Sequence, residues 1–246
     1  MTGSRFQEEL LLLMDQKDHW AWKHFTQADI TKAQLKIHFR QEYAVYVRDF
    51  PVFLGRIYSK NPPGEVRYDL AENLYEEETG GISKFGPHPL LFLKMMSGLG
   101  FKRTDFKNIE LFQESRAYRD WLDEITLNGV WYEAAAVVTI FVEGSIKDRK
   151  ELTESVPEYS PQNTEEKILC HPLVQFHGVS PKDMDLIRAH TLVERGHRKS
   201  AWKMVLDYTD TPEKQEKVKS CLKKALDLWL SYRERVAKEC HFNPGD

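Results

Sequence analysis

Nine consecutive residues, Ala134-Ala-Ala-Val-Val-Thr-Ile-Phe-Val142, are apolar on nearly every face when wound into a helix. Such a helix has no side to give to water, so it must sit at the centre with other elements around it. Its alanines let neighbouring helices come close. The rest of the chain supplies helices for that role. Val, Ile and Thr do not alternate with polar residues over any long stretch, so strand signals are nearly missing.

Helical spacing and stop signals divide the chain. A first helix is predicted from Arg5 to Lys17, with Phe6, Leu10 and Leu13 on one face. A second starts at Thr31, whose hydroxyl can accept a free backbone N–H, and runs to Ser59, with a kink at Pro51. Further helices are expected over Val66–Glu78, His88–Leu99, Asn108–Leu127 and Val130–Lys147, punctuated by Gly80-Gly81, Gly100 and Asn128-Gly129. Residues 150–180 read as irregular. Ser180-Pro181 then opens a helix to Tyr208, and Thr211-Pro212 opens the last, to Lys238. The expectation is one all-α domain over residues 1–246, a bundle of seven to nine helices.

The 246 residues, 41% of them hydrophobic, suffice for a sizeable core. A net charge of -3 and no basic run argue against a nucleic-acid partner. Cys170, Cys221 and Cys240 are few and far apart, which suits a reducing compartment and makes no zinc pair. Leu10–Met14 is too short for a signal or membrane segment. We therefore expect a cytoplasmic protein with no membrane partner.

The chemistry is concentrated in His190-Thr-Leu-Val-Glu194-Arg-Gly-His197. On a helix, residues i, i+4 and i+7 share a face, so two imidazoles and a carboxylate project together. That donor set suits iron and related first-row ions. Alone, the same spacing also fits a solvated polar face. Other candidates lie on other helices: Glu42, Glu77, His88 and Glu143. Glu42 stands in a stripe of Leu35, Phe39, Tyr46, Asp49 and Phe53, where it needs a cation or a pairing with Arg40 or Arg48. Glu143 ends the apolar run and either seeks a partner inside the bundle or reaches water. Glu76, Glu77 and Glu78 point in three directions, so one or two at most are ligands and the others are solvent charges. His88, between Pro87 and Pro89, could simply cap its helix. A ferritin-like site needs two ExxH pairs, and only Glu194–His197 is present.

Several segments taken together resemble the heme-oxygenase-like diiron oxidases, in the wider group of thiaminase-type (TenA) and pyrroloquinoline-quinone-synthase-type proteins, and most nearly its CADD-like branch. They are Ile30-Thr-Lys-Ala-Gln-Leu35, Phe50-Pro51, Asn73-Leu-Tyr-Glu-Glu77-Glu-Thr-Gly80, His88, Phe141-Val-Glu143 and the His190 triplet. The resemblance implies a heme-oxygenase-like helical bundle. It implies Glu77, His88, Glu143, His190, Glu194 and His197 as ligands of two Fe(II) ions, and it selects Glu77 over Glu76. Glu42 is a candidate seventh ligand. It also implies O2 and a small substrate as partners, an external reductant, and a homodimer. In the CADD-like branch a tyrosine is consumed to make p-aminobenzoate, but Trp22 stands at the aligned position here. Tyr43 and Tyr46 lie nearby and are the candidate catalytic tyrosines. That departure favours an external substrate, an amino acid or a derivative, placed near Tyr43, Tyr46 and Trp22. A metal-free enzyme of the thiaminase or quinone-synthase type, or a protein-interaction module on the same fold, remain the alternatives.

Overall fold

In the computed structural model, residues 2–153 and 160–245 are described, and the side chains at 2–4, 153, 194 and 195 lie outside the description. Among the described residues the chain is all helix and turn, with no strand. Twelve α-helices appear: α1 Thr2–Met14, α2 Lys32–Glu42, α3 Phe50–Ser59, α4 Gly64–Thr79, α5 His88–Gly98, α6 Gln113–Asn128, α7 Trp131–Ala135, α8 Asp148–Thr153, α9 Pro161–Leu169, α10 Pro172–Gln175, α11 Asp185–Tyr208 and α12 Pro212–Glu239. The all-α class is as expected, but the count exceeds nine. Two predicted long helices are subdivided, the helix expected from Pro181 begins at Asp185 after a 3-10 turn, and residues 150–180 contain short helices where irregular chain was expected.

The predicted Thr31–Ser59 helix shows why. Thr31 caps α2 through a reciprocal pair with Gln34, as its hydroxyl promised. The helix then widens into a π segment, Tyr43–Val47, and breaks at Arg48-Asp49. Pro51 lies in the first turn of α3, where its missing N–H costs nothing, so it starts a helix and does not kink one.

The apolar run behaves as its composition requires. From Ala134 to Phe141 every residue is essentially sealed from solvent. It is surrounded by α3, α6, α11 and α12. After α7 it too winds as a π helix, Ala136–Val142, and the Glu143 N–H reaches back five residues to the Val138 carbonyl. A π turn takes in an extra residue and so rotates the chain beyond it, by ~100° per residue inserted. Lys17, from just beyond α1, closes this end by donating to the carbonyls of Phe141, Val142 and Gly144.

Between α4 and α5 the chain turns within eight residues. Gly80 adopts φ 61°, and a Cβ there would lie 2.2 Å from the Gly86 nitrogen. Only glycine permits that approach. The tight connection sets the end of α4 against the first residue of α5.

Candidate metal centre

The end of α4 and the start of α5 bring two consecutive glutamates against one buried imidazole. His88 Nε2 lies 3.1 Å from Glu76 Oε1 and makes a hydrogen bond there. The other Glu76 oxygen accepts the backbone N–H groups of Ile82 (2.8 Å) and Ser83 (3.0 Å). Glu76 is 0% exposed. Burial alone would raise its pKa, but these donors hold the carboxyl below its usual value. It is therefore an ionised carboxylate that accepts a hydrogen bond from His88 Nε2–H, and the neutral ring then carries its lone pair on Nδ1.

That lone pair has a destination. His88 Nδ1 and Glu77 Oε1 are 2.8 Å apart, yet without the alignment of a hydrogen bond, and Nδ1 has no hydrogen-bond partner. A buried imidazole nitrogen without a hydrogen bond beside a buried carboxylate oxygen is an arrangement a shared cation would satisfy. His190, on α11, completes it. One donor atom from each of Glu77, His88 and His190 lies within 4.8 Å of the others. Without a cation, burial works to lower the His88 pKa, and the flanking Glu77 and Glu76 carboxylates overcome it and raise the pKa.

The cluster forms one wall of a cavity of about 160 Å³. Glu77, His88, Glu143, His190, His197 and Arg198 make its polar side. Val47, Phe50, Val142, Leu186 and Val193 supply its apolar lining, and Tyr46 also lines it. Glu143 arrives at the end of the central π segment, and Asn73 Nδ2 donates to both its oxygens, at 3.1 and 3.3 Å. Burial depresses the His197 pKa, favouring the neutral imidazole a metal needs. Arg198 pairs with Glu151 at 2.8 Å behind the wall.

Five expected ligands thus meet at one cavity. The Glu194 side chain lies outside the described residues; its backbone is on α11 between the two histidines. Glu42 does not join them. Its carboxylate is taken by Arg233 Nη2 at 3.1 Å, by the Tyr46 hydroxyl and by His38, so its partner is neither Arg40 nor Arg48. Tyr43 also lies elsewhere, stacked on Phe92 at 5.4 Å and edge-on to Phe106. Trp22 does not line the cavity; it covers Arg233. Of the expected aromatic group only Tyr46 reaches the cavity. Glu76, expected among the solvent charges, is the most buried of the three glutamates, whereas Glu78 is exposed. Sequence reasoning also missed Asn73 and Arg233. Asn73 had a local signal, four residues before Glu77 on one helix face. Glu76 and Arg233 had none, since their partners lie on other elements.

None of the cysteines lines the cavity. Burial pushes the Cys221 thiol up to about 11 and the Cys240 thiol up to about 12, and Cys170 is exposed on the surface. No helix among the described residues is long and apolar enough to cross a membrane.

Comparison with known proteins adds the family context. Residues 37–230 match a family model described as iron-containing redox enzyme. A 4-aminobenzoate synthase of Nitrosomonas europaea is 23% identical over 220 residues, 85% of this chain and 79% of that one. A TenA homolog from Pseudomonas syringae superposes with a TM-score of 0.72 at 13% identity, covering 96% of this chain and 92% of that one. A CADD-like protein from Nostoc punctiforme superposes at 0.66 with 14% identity, covering 98% and 96%. The fold is that of the heme-oxygenase-like proteins.

Proposed function

The chain belongs to the family of iron-containing redox enzymes, and on that premise we propose a non-haem diiron oxidase or oxygenase that uses O2 to oxidise a small substrate, an amino acid or a derivative. The observation that carries this reading is the convergence of Glu77, His88 and His190 on one point, with His88 Nδ1 left without a hydrogen bond. Glu143 and His197 share the cavity wall, so Glu77, His88, Glu143, His190, Glu194 and His197 would hold two Fe(II) ions. Ferrous ions there would supply the electrons and the Lewis acidity that O2 reduction requires.

The protein's own groups do the rest. Glu76 fixes the His88 ring and makes Nδ1 the ligating atom. Asn73 orients Glu143. The apolar side excludes water and receives the carbon frame of the substrate. Tyr46 can release its phenolic proton only inward, to Glu42. Metal-free thiol chemistry fits poorly, because no cysteine borders the cavity.

Anaerobic Fe(II) titration tests the reading, followed by rapid mixing with O2. Uptake near two irons per chain is expected, with a transient visible band, and reduced uptake in Glu143→Ala and His190→Ala. No uptake sinks it. A second reading, formation of 4-aminobenzoate as in the Nitrosomonas relative, is favoured by Tyr46, a phenol ring at the cavity wall. Exposure of the iron-loaded protein to O2 would then release 4-aminobenzoate and lower the intact-chain mass at Tyr46; an unchanged mass leaves the external-substrate reading.

A further inference from the structure

Away from the imidazoles, the cavity is connected to the surface by a second buried group. The Tyr46 ring lines the cavity, and its hydroxyl donates to Glu42 Oε1. Arg233 Nη2 lies 3.1 Å from that hydroxyl and 3.1 Å from that carboxylate oxygen. Arg233 is 3% exposed, and its guanidinium carbon sits 4.7 Å from the centre of the Trp22 ring. Trp22 is 44% exposed. His38 completes the set, with Nδ1 facing Arg233 Nη1 at 3.3 Å and Nε2 facing Glu42 Oε2 at 3.4 Å. Arginine can only donate, so Nδ1 is the acceptor and the ring proton sits on Nε2, toward Glu42. The Glu42 and Arg233 charges cancel, which lets the group stay buried.

Charge compensation explains why Glu42 and Arg233 are together. It does not explain why, with Trp229 and Tyr232 buried beside Arg233, one further oxidisable ring stands in the cavity wall and another at the surface. Nor does it explain why the inner ring has a base on its hydroxyl. We propose that Trp22, Arg233, Glu42 and Tyr46 form an electron-entry route from a soluble one-electron donor to the cavity. The identity of the oxidant rests on the oxidase reading above; the route itself does not.

Three transfers make up one balanced cycle. An O2-derived oxidant in the cavity takes one electron from Tyr46, and the phenolic proton passes to Glu42 Oε1. The tyrosyl radical then takes an electron from the Trp22 indole and recovers its proton from Glu42. The Trp22 radical cation is reduced at the surface by the donor. One electron enters per cycle, and no residue is consumed. Arg233 is a positioning residue that holds the carboxylate against the hydroxyl and packs under the indole.

The test uses the metal-free full chain and a photogenerated ruthenium(III) polypyridyl oxidant in solution, with transient absorption reading tryptophan and tyrosyl radicals separately. Oxidation from solution drives the same route in reverse, so in the wild type a tryptophan radical should decay into a tyrosyl radical. Tyr46→Phe should lose that tyrosyl signal and leave the tryptophan radical long-lived. Trp22→Phe, which keeps an aromatic ring over Arg233, should lose the Tyr46-dependent signal as well. Retention of the Tyr46-dependent signal in Trp22→Phe overturns the route, as does an unchanged tyrosyl signal in Tyr46→Phe. A protein that passes this test but takes up no iron keeps the route and loses the oxidase reading. One that binds iron but fails it loses the route alone.

Discussion

Which nitrogen of an imidazole can bind a metal depends on what holds the other one. At His88 that partner is Glu76, whose second oxygen is fixed by two backbone N–H groups. Partners of this kind typically matter by 10–100-fold in metal affinity. Glu76→Gln should therefore weaken Fe(II) binding by roughly 10–100-fold, whereas Glu78→Gln, on the exposed side of the same turn, should leave it unchanged. Competition with a ferrous chelator measures both, and equal effects would show that only net charge matters. His38 gives a second residue-level test. Burial, chiefly, lowers its pKa from 6.5 to about 4, with Arg233 adding to the effect and Glu42 opposing it. The unfolded chain then takes up the proton first as pH falls. The stabilisation from the neutral ring is full above about 6.5 and is lost between 6.5 and about 4. His38→Gln should flatten the decline of the thermal midpoint across that window; a decline as steep as in the wild type would remove His38 as its source. The residue types of the site were legible in the sequence. The choice of roles among adjacent glutamates was not, because it depends on the turn between α4 and α5.

Elements decide where those residues point. Helix starts were legible where they depend on short-range groups: Thr31 and Thr211 accept the backbone N–H groups expected of them, whereas Ser180 caps only the 3-10 turn Pro181–Asp183 and the helix expected from Pro181 begins at Asp185. The π segments were not. Local sequence gives no reason for them, and they form where packing against several neighbours demands an extra residue in the turn. One of them delivers Tyr46 and the other Glu143 to the cavity. The α4–α5 turn, by contrast, is announced by Gly80-Gly81. Gly80→Ala should cost about 1–3 kcal/mol, from the left-handed backbone and the collision with Gly86. It should also weaken iron binding, since the same turn sets Glu76 and Glu77 against His88. Urea midpoints and Fe(II) titration check the two effects. A loss of stability with iron affinity intact would separate the turn from the site.

At the scale of the molecule, the bundle buries several carboxylates and imidazoles around one space, which makes the folded state depend on what fills it. Binding to the folded chain alone stabilises by mass action, about 2.7 kcal/mol at a hundredfold excess over Kd. Fe(II) should raise the thermal midpoint by several degrees, and Glu143→Ala or His190→Ala should abolish the rise. An unshifted midpoint in the wild type would mean that the cavity does not hold iron. The sequence by itself determined the all-α class, the central apolar helix, most helix boundaries and the donor types of the site, because each depends on periodicity, capping or turn chemistry within a few residues. Only the tertiary structure decided that Glu42 pairs with Arg233, that Tyr43 and Trp22 stand away from the cavity, and that Glu76 holds His88. Those outcomes depend on contacts between helices far apart in the chain, and a change of one residue in the winding of a helix redirects every side chain beyond it.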